Sequence, residues 1–318
     1  MTMRTFDQAT IDSTGVFFSN ELIRINPTLL EPLSDFPYAR DVDMTELDLG
    51  DEATAYDAVL YRAPGGANPV GKSFITARTT AIGAVNVDME RVQSPAFLWG
   101  EMFQMSIVEI ERAMKLGRPL APSLLSALKT KWEMDTQNQV MLGDTAAGVT
   151  GLVNNASVTA ATVATGVGGL LWTQKTDDEI LTDVNTIIQG VFASSGYTRM
   201  PSRLGLPPAK LGYLGTRKIA NGSMSILKYL KENNSALVMA GIDLQFASMR
   251  ELIGAGSGAT DRMIAYTKAE DVVRFPRTNA LRSLPTQFDG LFQKQIYLGK
   301  LGTLEIPRTA LLRYADGF

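Results

Sequence analysis

The sequence contains no cysteine and no histidine among its 318 residues. Without cysteine the chain has no disulfide, no thiol nucleophile and no thiolate ligand for a metal. Without histidine it lacks the side chain that most often serves as a general base near neutral pH and as a metal ligand. Lysine, tyrosine, serine and the acidic residues could still support catalysis, but the two absences together argue against an enzyme.

Charged side chains are also scarce, at 20% of the sequence against roughly 25% in typical soluble domains. The 30 lysine and arginine residues nearly balance the 33 acidic ones, which gives a formal net charge of −3. A protein that grips nucleic acid through its phosphates needs an excess of positive charge, and this sequence has none. The low charge instead indicates a surface that is partly hidden in contacts between proteins.

Long apolar runs are missing as well, because no run reaches the about 18 apolar residues that a transmembrane helix needs. The opening segment, M-T-M-R-T-F-D-Q-A-T-I-D, carries polar and acidic side chains where a signal peptide has its apolar core. We therefore expect a soluble, intracellular protein without membrane contact. Hydrophobic residues make up 45% of the sequence, which is enough for a sizeable buried core.

One short stretch, Gly66–Ser73, matches the phosphate-binding pattern G-x-x-x-x-G-K-[ST]. A working P-loop follows a buried strand and opens a helix, so that backbone N–H groups point at the phosphates. Residues 73–92 are instead rich in Thr, Ile and Val, and apolar and polar side chains alternate from Val85 to Glu90, which predicts a strand. Pro69 also removes an N–H from the loop. The favoured interpretation is a β-hairpin whose first strand is Ala55–Ala63 and whose tip is Pro64–Gly71.

A hairpin of this length poses a physical problem. An isolated two-stranded hairpin is only marginally stable in water, and its unpaired edges invite further strands. Either the rest of the chain or a neighbouring copy must therefore cover the segment from about Ala55 to Met89.

A second glycine-rich stretch imitates the dinucleotide-binding pattern G-x-G-x-x-G/A at Gly254, Gly256 and Ala259. In a Rossmann fold that loop leads into a helix. Here R-M-I-A-Y-T follows, which predicts a strand. We interpret this stretch as a glycine loop without a dinucleotide site.

Four segments have helical periodicity. Residues 99–117 place apolar side chains three to four residues apart and end at a glycine. Residues 122–144 predict a helix of about five turns, capped by Ser123 and ended by Gly143. Its predicted buried stripe is Leu125, Leu128, Trp132, Gln139 and Leu142.

The clearest helix begins at Thr176, which forms a capping box with Glu179. A shorter helix, capped by Ser223, ends near Asn233. The predicted buried stripe of the clearest helix is Ile180, Val184, Ile187, Ile188 and Val191.

The remaining segments favour an α+β fold. Short strands are predicted at residues 210–215, 242–247, 262–267, 293–299 and 304–318, mixed in order with the helices. Residues 145–174 carry no charge, and two interpretations stay open for them: a buried connection within the chain, or a contact between chains.

The order of these elements resembles the major capsid proteins of tailed bacteriophages with the Hong Kong 97 fold. Met141–Val158 is similar to the family's stretch after its long helix, G-D…G-x-x-G-L-x-N. Glu251–Phe275 is similar to a glycine loop and strand found in one branch, and Glu305–Phe318 resembles the terminal strand. The resemblance covers the chain from about residue 50 to its end.

The resemblance implies a domain organisation. It has an N-terminal arm, an extended hairpin loop, a peripheral domain with a spine helix at Leu124–Leu142, and an axial domain. The implied ranges are 1–50 for the arm, 51–92 for the loop, 93–160 with about 300–318 for the peripheral domain, and 161–299 for the axial domain.

The implied function is that of a shell subunit. Copies assemble as pentamers and hexamers in the icosahedral head of a virion, which is built in the host cytoplasm and encloses double-stranded DNA without sequence-specific binding. No catalytic residue, cofactor or metal is implied. The short region before the hairpin leaves no room for a fused scaffold, so a separate scaffolding protein is expected, with a portal and decoration proteins as further partners.

Contacts between subunits are predicted at two glycine-rich places. Some family members cross-link subunits through a lysine on the extended loop, but the rest of that chemistry is not matched here, so Lys72 is interpreted as a contact lysine. The predicted contact residues are Gly65, Gly66, Asn68, Pro69, Gly71 and Lys72 at the hairpin tip and Gly254, Gly256 and Gly258 in the later loop.

Two further functions stay open on the sequence. An encapsulin-like compartment would use the same fold to enclose a cargo enzyme, and the sequence separates it poorly from a virus shell. A P-loop nucleotide-binding enzyme is disfavoured by the predicted strand that follows Lys72.

Overall fold

The fold is seen in a computed structural model that describes residues 35–62, 86–115, 120–220 and 222–318. Within these ranges helices and strands are mixed in the predicted α+β order. The helices are α1 Tyr38–Asp41, α2 Ile107–Lys115, α3 Leu120–Met141, α4 Asp177–Ser194, α5 Pro208–Thr216, α6 Ile226–Asn233 and α7 Ser235–Ala240.

The strands of the described residues belong to three sheets. They are β1 Asp43–Glu46, β2 Ala53–Arg62, β3 Asn86–Pro95, β4 Phe97–Ser106, β5 Thr159–Thr162, β6 Arg203–Leu206, β7 Gln245–Ser248, β8 Arg262–Tyr266, β9 Arg274–Arg277, β10 Arg282–Ser283, β11 Gln287–Asp289, β12 Phe292–Leu301 and β13 Leu312–Asp316.

The first sheet is built around β12, which pairs antiparallel with β4 along its whole length. Short strands β10 and β11 also pair with β12, and β9 links it to β1. The long helix α3 packs on this sheet, where Trp132 meets Trp99 edge to face with ring centroids 5.0 Å apart. The Trp99 indole N–H donates to Asp135 Oδ2 at 2.9 Å, so α3 and β4 are joined by an aromatic contact and a hydrogen bond.

The second sheet has the strand order β5-β13-β8-β6-β7 among the described residues. Its inner side packs on α4, whose buried face is the predicted stripe from Ile180 to Val191. At one end of the paired strands β8 and β13, Arg262 on β8 holds both carboxylate oxygens of Asp316 on β13, at 2.7 and 2.8 Å. Such a bidentate pair fixes the register of the two strands.

Strand membership differs in two places from the domain ranges predicted above. β13 was grouped with the peripheral domain, but it lies between β5 and β8 in the second sheet. Most of β12 was grouped with the axial domain, but it pairs with β4 beside α3. The division into two domains stays a prediction, and the pairing favours joining residues 274–301 to the first sheet and 312–316 to the second.

The start of α4 follows the predicted local signals. Its N-cap Thr176 accepts from the Glu179 N–H through its hydroxyl, and the Glu179 carboxylate accepts from the Thr176 N–H. The capping box is therefore confirmed, and with it the helix start.

Other local predictions were wrong. The helix predicted over 99–117 starts only at Ile107, because β4 occupies Phe97–Ser106 and pairs with β12. The strand predicted at 210–215 is part of α5, which has a proline at its first helical position. The shorter helix is capped by Ser225, whose hydroxyl accepts from the Lys228 N–H, and Ser223 is not its cap.

Helix α3 is correctly predicted in place but not in its buried face. It begins at Leu120, so Ser123 lies inside it and is not its cap. Leu128 and Trp132 are buried as predicted, but Leu142 is 41% exposed and Gln139 is half-buried. The packed face continues in steps of four instead, through Thr136 and Val140. Gly143 ends the helix as predicted, with a φ of +70°.

The uncharged stretch after α3 is partly a buried connection. The N–H groups of Leu152 and Val153 donate to Val140 and Met141 carbonyls at the end of α3, at 2.9 and 3.1 Å. Both side chains are fully buried. Further along, Val167 is 94% exposed, so a contact between chains stays open for that part.

Two glycine substitutions, one of them a control, test the close packing of this connection against the end of α3. A Cβ at Gly151 would lie 2.3 Å from the Met141 carbonyl carbon and oxygen, whereas one at Gly212 on α5 would meet nothing within 4 Å. We expect Gly151→Ala to lower the free energy of unfolding by about 2–3 kcal/mol. Gly212→Ala, the control, should be neutral or stabilising by up to about 1 kcal/mol. Chemical denaturation followed by circular dichroism measures both, and equal effects would contradict the packing.

Candidate assembly surfaces

The hairpin formed by β2 and β3 is a long and largely exposed element of the fold. All ten residues of each strand pair antiparallel, from Ala53 opposite Pro95 to Arg62 opposite Asn86. Within the described residues, the two strands form a sheet of their own. Every β3 side chain from Asn86 to Arg91 is exposed. The predicted hairpin is therefore present, and the body of its own chain does not shelter it along these residues.

The two faces of the hairpin differ in chemistry. On one face Val59 and Met89 stand opposite each other, 45% and 74% exposed, and Val87 beside them is 48% exposed. The alternate positions on the other face include Ala58 opposite Glu90. We call the first the apolar face of the hairpin. An exposed cluster of this kind marks a contact surface.

An exposed ion pair borders the apolar face. Arg91 holds both carboxylate oxygens of Asp57 at 2.8 and 3.1 Å, and this contact keeps the pKa of Asp57 below its usual value. The pair fixes the local cross-strand register and contributes little to stability because water surrounds it.

The base of the hairpin is fastened to the body through its other face. The Thr54 hydroxyl donates to Glu305 Oε1, and the Arg274 guanidinium lies 5.7 Å from the Tyr56 ring centroid. On the second strand the Pro95 carbonyl accepts from the Thr303 hydroxyl at 2.8 Å. The attachment leaves the apolar face turned away from these anchors.

A second apolar surface lies on the first sheet. The β4 side chains that alternate with Trp99 face away from α3, and two of them, Leu98 and Met102, are 63% and 55% exposed. Phe292 on β12 shares this side and is 43% exposed. They lie along one side of the β4–β12 pair, opposite to α3, and we call these three residues the outer apolar patch.

The later glycine loop is held by hydrogen bonds to a backbone carbonyl and to the Asp316 carboxylate. Gly254 and Gly258 have φ values of +66° and +68°, and Gly256 N–H donates to the Thr260 carbonyl at 2.8 Å. The Ser257 N–H donates to Asp316 Oδ2 at 3.1 Å. The loop leads into β8, so the strand predicted after it is confirmed, and the setting is not that of a Rossmann fold.

The predicted contact residues fall into two groups. The structure brings Gly254, Gly256 and Gly258 together on one loop, of which Gly254 and Gly258 are exposed. The hairpin-tip residues Gly65, Gly66, Asn68, Pro69, Gly71 and Lys72 lie outside the described residues. Val59, Met89, Leu98 and Met102 were not predicted as contact residues, although the alternation of β3 marks the face of Val87 and Met89.

In the part of the chain that the structure describes, no cluster of three or more acidic side chains is arranged to hold a metal ion. Likewise, none of the described helices is long and apolar enough to span a lipid bilayer.

A family comparison decides what these surfaces belong to. The model of a family described as major capsid protein matches residues 71–318, well over half of the sequence. The chain belongs to the major capsid protein family. It is a structural protein of a capsid and therefore a component of the virion.

Solved structures support the fold. The capsid of Myoviridae phage XM1 matches with a TM-score of 0.78 at 14% identity, covering 96% of this chain and 99% of that one. The capsid of a native GTA particle matches with a TM-score of 0.65 at 12% identity, covering 98% and 99%. A virus-like particle from Pyrococcus furiosus matches with a TM-score of 0.51 at 10% identity, covering 87% and 91%.

No match was found among curated protein sequences. The structural likenesses nevertheless extend over nearly the whole chain, and they confirm the predicted Hong Kong 97-type fold. The β2–β3 hairpin lies at the place in chain order where the extended loop was predicted, and its role as that loop stays a prediction.

The anchored base of the hairpin makes a prediction about Tyr56. Burial raises the pKa of its hydroxyl above the ordinary 10.0, and the nearby Glu305 carboxylate raises it further. The pKa of Tyr56 is therefore higher in the folded chain than in the unfolded chain. The stability that the neutral Tyr56 hydroxyl contributes is complete below about pH 10 and is lost as the pH rises through the folded pKa.

We expect Glu305→Gln to lower the pKa of Tyr56, because it removes the negative charge and leaves Arg274 in place. The difference in tyrosinate absorbance between each protein and its Tyr56→Phe counterpart isolates this group during an alkaline titration. An unchanged pKa in Glu305→Gln would contradict the contact.

Proposed function

We propose that this capsid protein builds the icosahedral head of a tailed bacteriophage by laying its β2–β3 hairpin on a neighbouring copy. The observation that carries the proposal is the hairpin itself, exposed on both sides and apolar on one. Fully burying a side chain such as valine or methionine contributes about 1.5–3 kcal/mol. The free subunit does not realise this gain at Val59, Val87 or Met89.

A second copy is the occupant that fits this surface. Shell subunits repeat one interface around closed symmetry, so the hairpin of each copy meets the same surface on the next copy. Obligate interfaces of this kind bury about 2,000 Å² or more. The outer apolar patch around Leu98, Met102 and Phe292 is a receiving surface of matching chemistry.

The wider assembly follows from the same proposal. Copies meet as pentamers and hexamers, with Gly254, Gly256 and Gly258 among the contacts of the axial domain. The hairpin tip from Gly65 to Lys72 supplies further contacts, with Lys72 as a contact lysine.

The head encloses double-stranded DNA without reading its sequence and is assembled in the host cytoplasm. A separate scaffolding protein, a portal and decoration proteins are proposed partners. The near-neutral sequence suits a container that does not grip its contents. The role is mechanical, and no catalytic step is proposed.

An encapsulin-like compartment is the second candidate, and the observation that favours it is the likeness to the virus-like particle from Pyrococcus furiosus. Purified particles separate the two, because a portal vertex with DNA indicates a virus and an encased enzyme indicates a compartment. A nucleotide-binding function would require binding that Lys72→Ala abolishes.

Two neighbouring substitutions test the hairpin contact. Val59→Asp places a charge on the apolar face, and Ala58→Asp places the same charge on the other face of the same strand. Both positions are exposed, so we expect the melting temperature of the subunit to change little in either variant. Val59→Asp should abolish or strongly reduce closed particles, whereas Ala58→Asp should retain them. Electron microscopy and sedimentation velocity measure the particles.

The outcomes are distinct. If the unmodified chain, supplied with a scaffold, stays a monomer at high concentration, the proposed shell function fails. If it forms particles and Val59→Asp forms them equally well, the shell function stands and the assignment of the apolar face is wrong.

A further inference from the structure

We propose that Glu305 is a positioning residue that fixes the direction in which the hairpin leaves the body of the subunit. The inference concerns the single chain, and only its consequence for particles rests on the proposed function. Glu305 lies 251 residues from its hairpin partner Thr54 in the sequence.

One oxygen atom of the Glu305 carboxylate binds the body of the subunit, and the other binds the β2–β3 hairpin, which is called the arm from here on. Its Oε2 accepts from Arg274 Nε at 2.7 Å, and its Oε1 accepts from the Thr54 hydroxyl at 2.5 Å. The Glu305 side chain is only 1% exposed, and that of Arg274 is 24% exposed. A buried carboxylate is stable in this setting because it is paired and hydrogen-bonded.

The backbone keeps this carboxylate in place. Arg274 and Glu305 exchange two backbone hydrogen bonds, at 3.0 and 2.9 Å, so Glu305 is tied to the strand β9. β9 is itself paired with β1 along four residues. The carboxylate therefore belongs to the body and cannot follow a movement of the arm without breaking these bonds.

A second attachment prevents rotation about the first. Thr303, two residues before Glu305, donates its hydroxyl to the Pro95 carbonyl at the end of β3. One short segment thus holds both strands of the hairpin, β2 at Thr54 and β3 at Pro95. Two attachment points on paired strands define a direction, whereas one point would allow the arm to swing.

Glutamate is the residue type that this geometry requires. A carboxylate offers only acceptors, which suits two donors that approach different oxygens. In Glu305→Gln the amide NH2 must face either the Arg274 guanidinium or the Thr54 hydroxyl, so one contact becomes a pairing of two donors unless that hydroxyl turns. Arg274 also lies over the ring of Tyr56, which follows Thr54 on the same face of β2. The Arg274 side chain therefore contacts both Glu305 and the hairpin.

The direction of the arm matters because a closed shell of pentamers and hexamers repeats a small set of similar angles between subunits. An arm that is free to swing would also reach the neighbouring copy at angles outside this set. We therefore expect loss of the attachment to produce open or mixed particles while the subunit stays folded.

Thr54→Val is the sharpest test, because it is nearly isosteric and leaves the Glu305–Arg274 ion pair intact. Ser94→Ala is the matched control, since Ser94 is the cross-strand partner of Thr54 and lies on the same face of the hairpin. Glu305→Gln is a second, stronger variant.

The chain contains no natural cysteine. Two substitutions in one chain, Glu90→Cys on the hairpin and Lys129→Cys on α3, therefore provide the only two sites for spin labels. The distance distribution between the two labels reports the direction of the arm, with labelled chains diluted in unlabelled ones. Electron microscopy of the unlabelled variants gives the particle diameters.

We expect a narrow distance distribution and one particle diameter in the unmodified chain and in Ser94→Ala. Thr54→Val and Glu305→Gln should broaden the distribution and give several diameters or open sheets. A distribution in Thr54→Val as narrow as that of the unmodified chain would overturn the positioning role. If broadening occurs but the particles are unchanged, the role in assembly is wrong. Should no chain form particles, the shell proposal fails, and the distances still decide the role of Glu305.

Discussion

The structure depends on one constraint, which is that a two-stranded hairpin cannot bury its own faces. β2 and β3 satisfy each other's inner backbone groups, but their outer edges and the side chains around Val59 and Met89 stay in water. Such an element gains stability only from a partner. A protein that carries one is therefore incomplete as a single chain, and a repeated assembly of identical copies can cover the exposed faces.

Buried ion pairs hold the described body of the subunit together. Asp41 pairs with Arg203 at 2.9 Å across 162 residues of sequence, and Lys175 pairs with Asp183 at 2.6 Å near the start of α4. Each of these carboxylates is nearly inaccessible to water and has further hydrogen bonds, as where the Trp172 indole N–H donates to Asp183. Networks of this kind tie helices and sheets into one arrangement. A chain with few charges thus places several of them inside, where they define geometry.

The sequence predicted those elements whose start and buried face depend on residues close together in the chain. The Thr176 capping box and the stripe from Ile180 to Val191 specify α4 within a single window of sequence. The proline at the start of α5 could have identified that helix, since proline is favoured at the first helical position. The face of α3 and the strand β4 depend on what packs against them across the fold, so periodicity alone assigned them wrongly.

The same limit applies to the assembly surfaces. The alternation of β3 marks an apolar face, but it does not show that the body leaves this face uncovered or that Glu305 anchors the other one. Such pairings across long sequence separations are decided by tertiary structure.

The position of β13 in the second sheet has a consequence for the timing of folding. β13 is the last strand in chain order, yet it lies between β5 and β8. A polypeptide still emerging from the ribosome therefore has a gap in this sheet, and its body is unfinished until translation of β13. Immature chains would thus be kept out of growing particles until β13 has paired with β5 and β8.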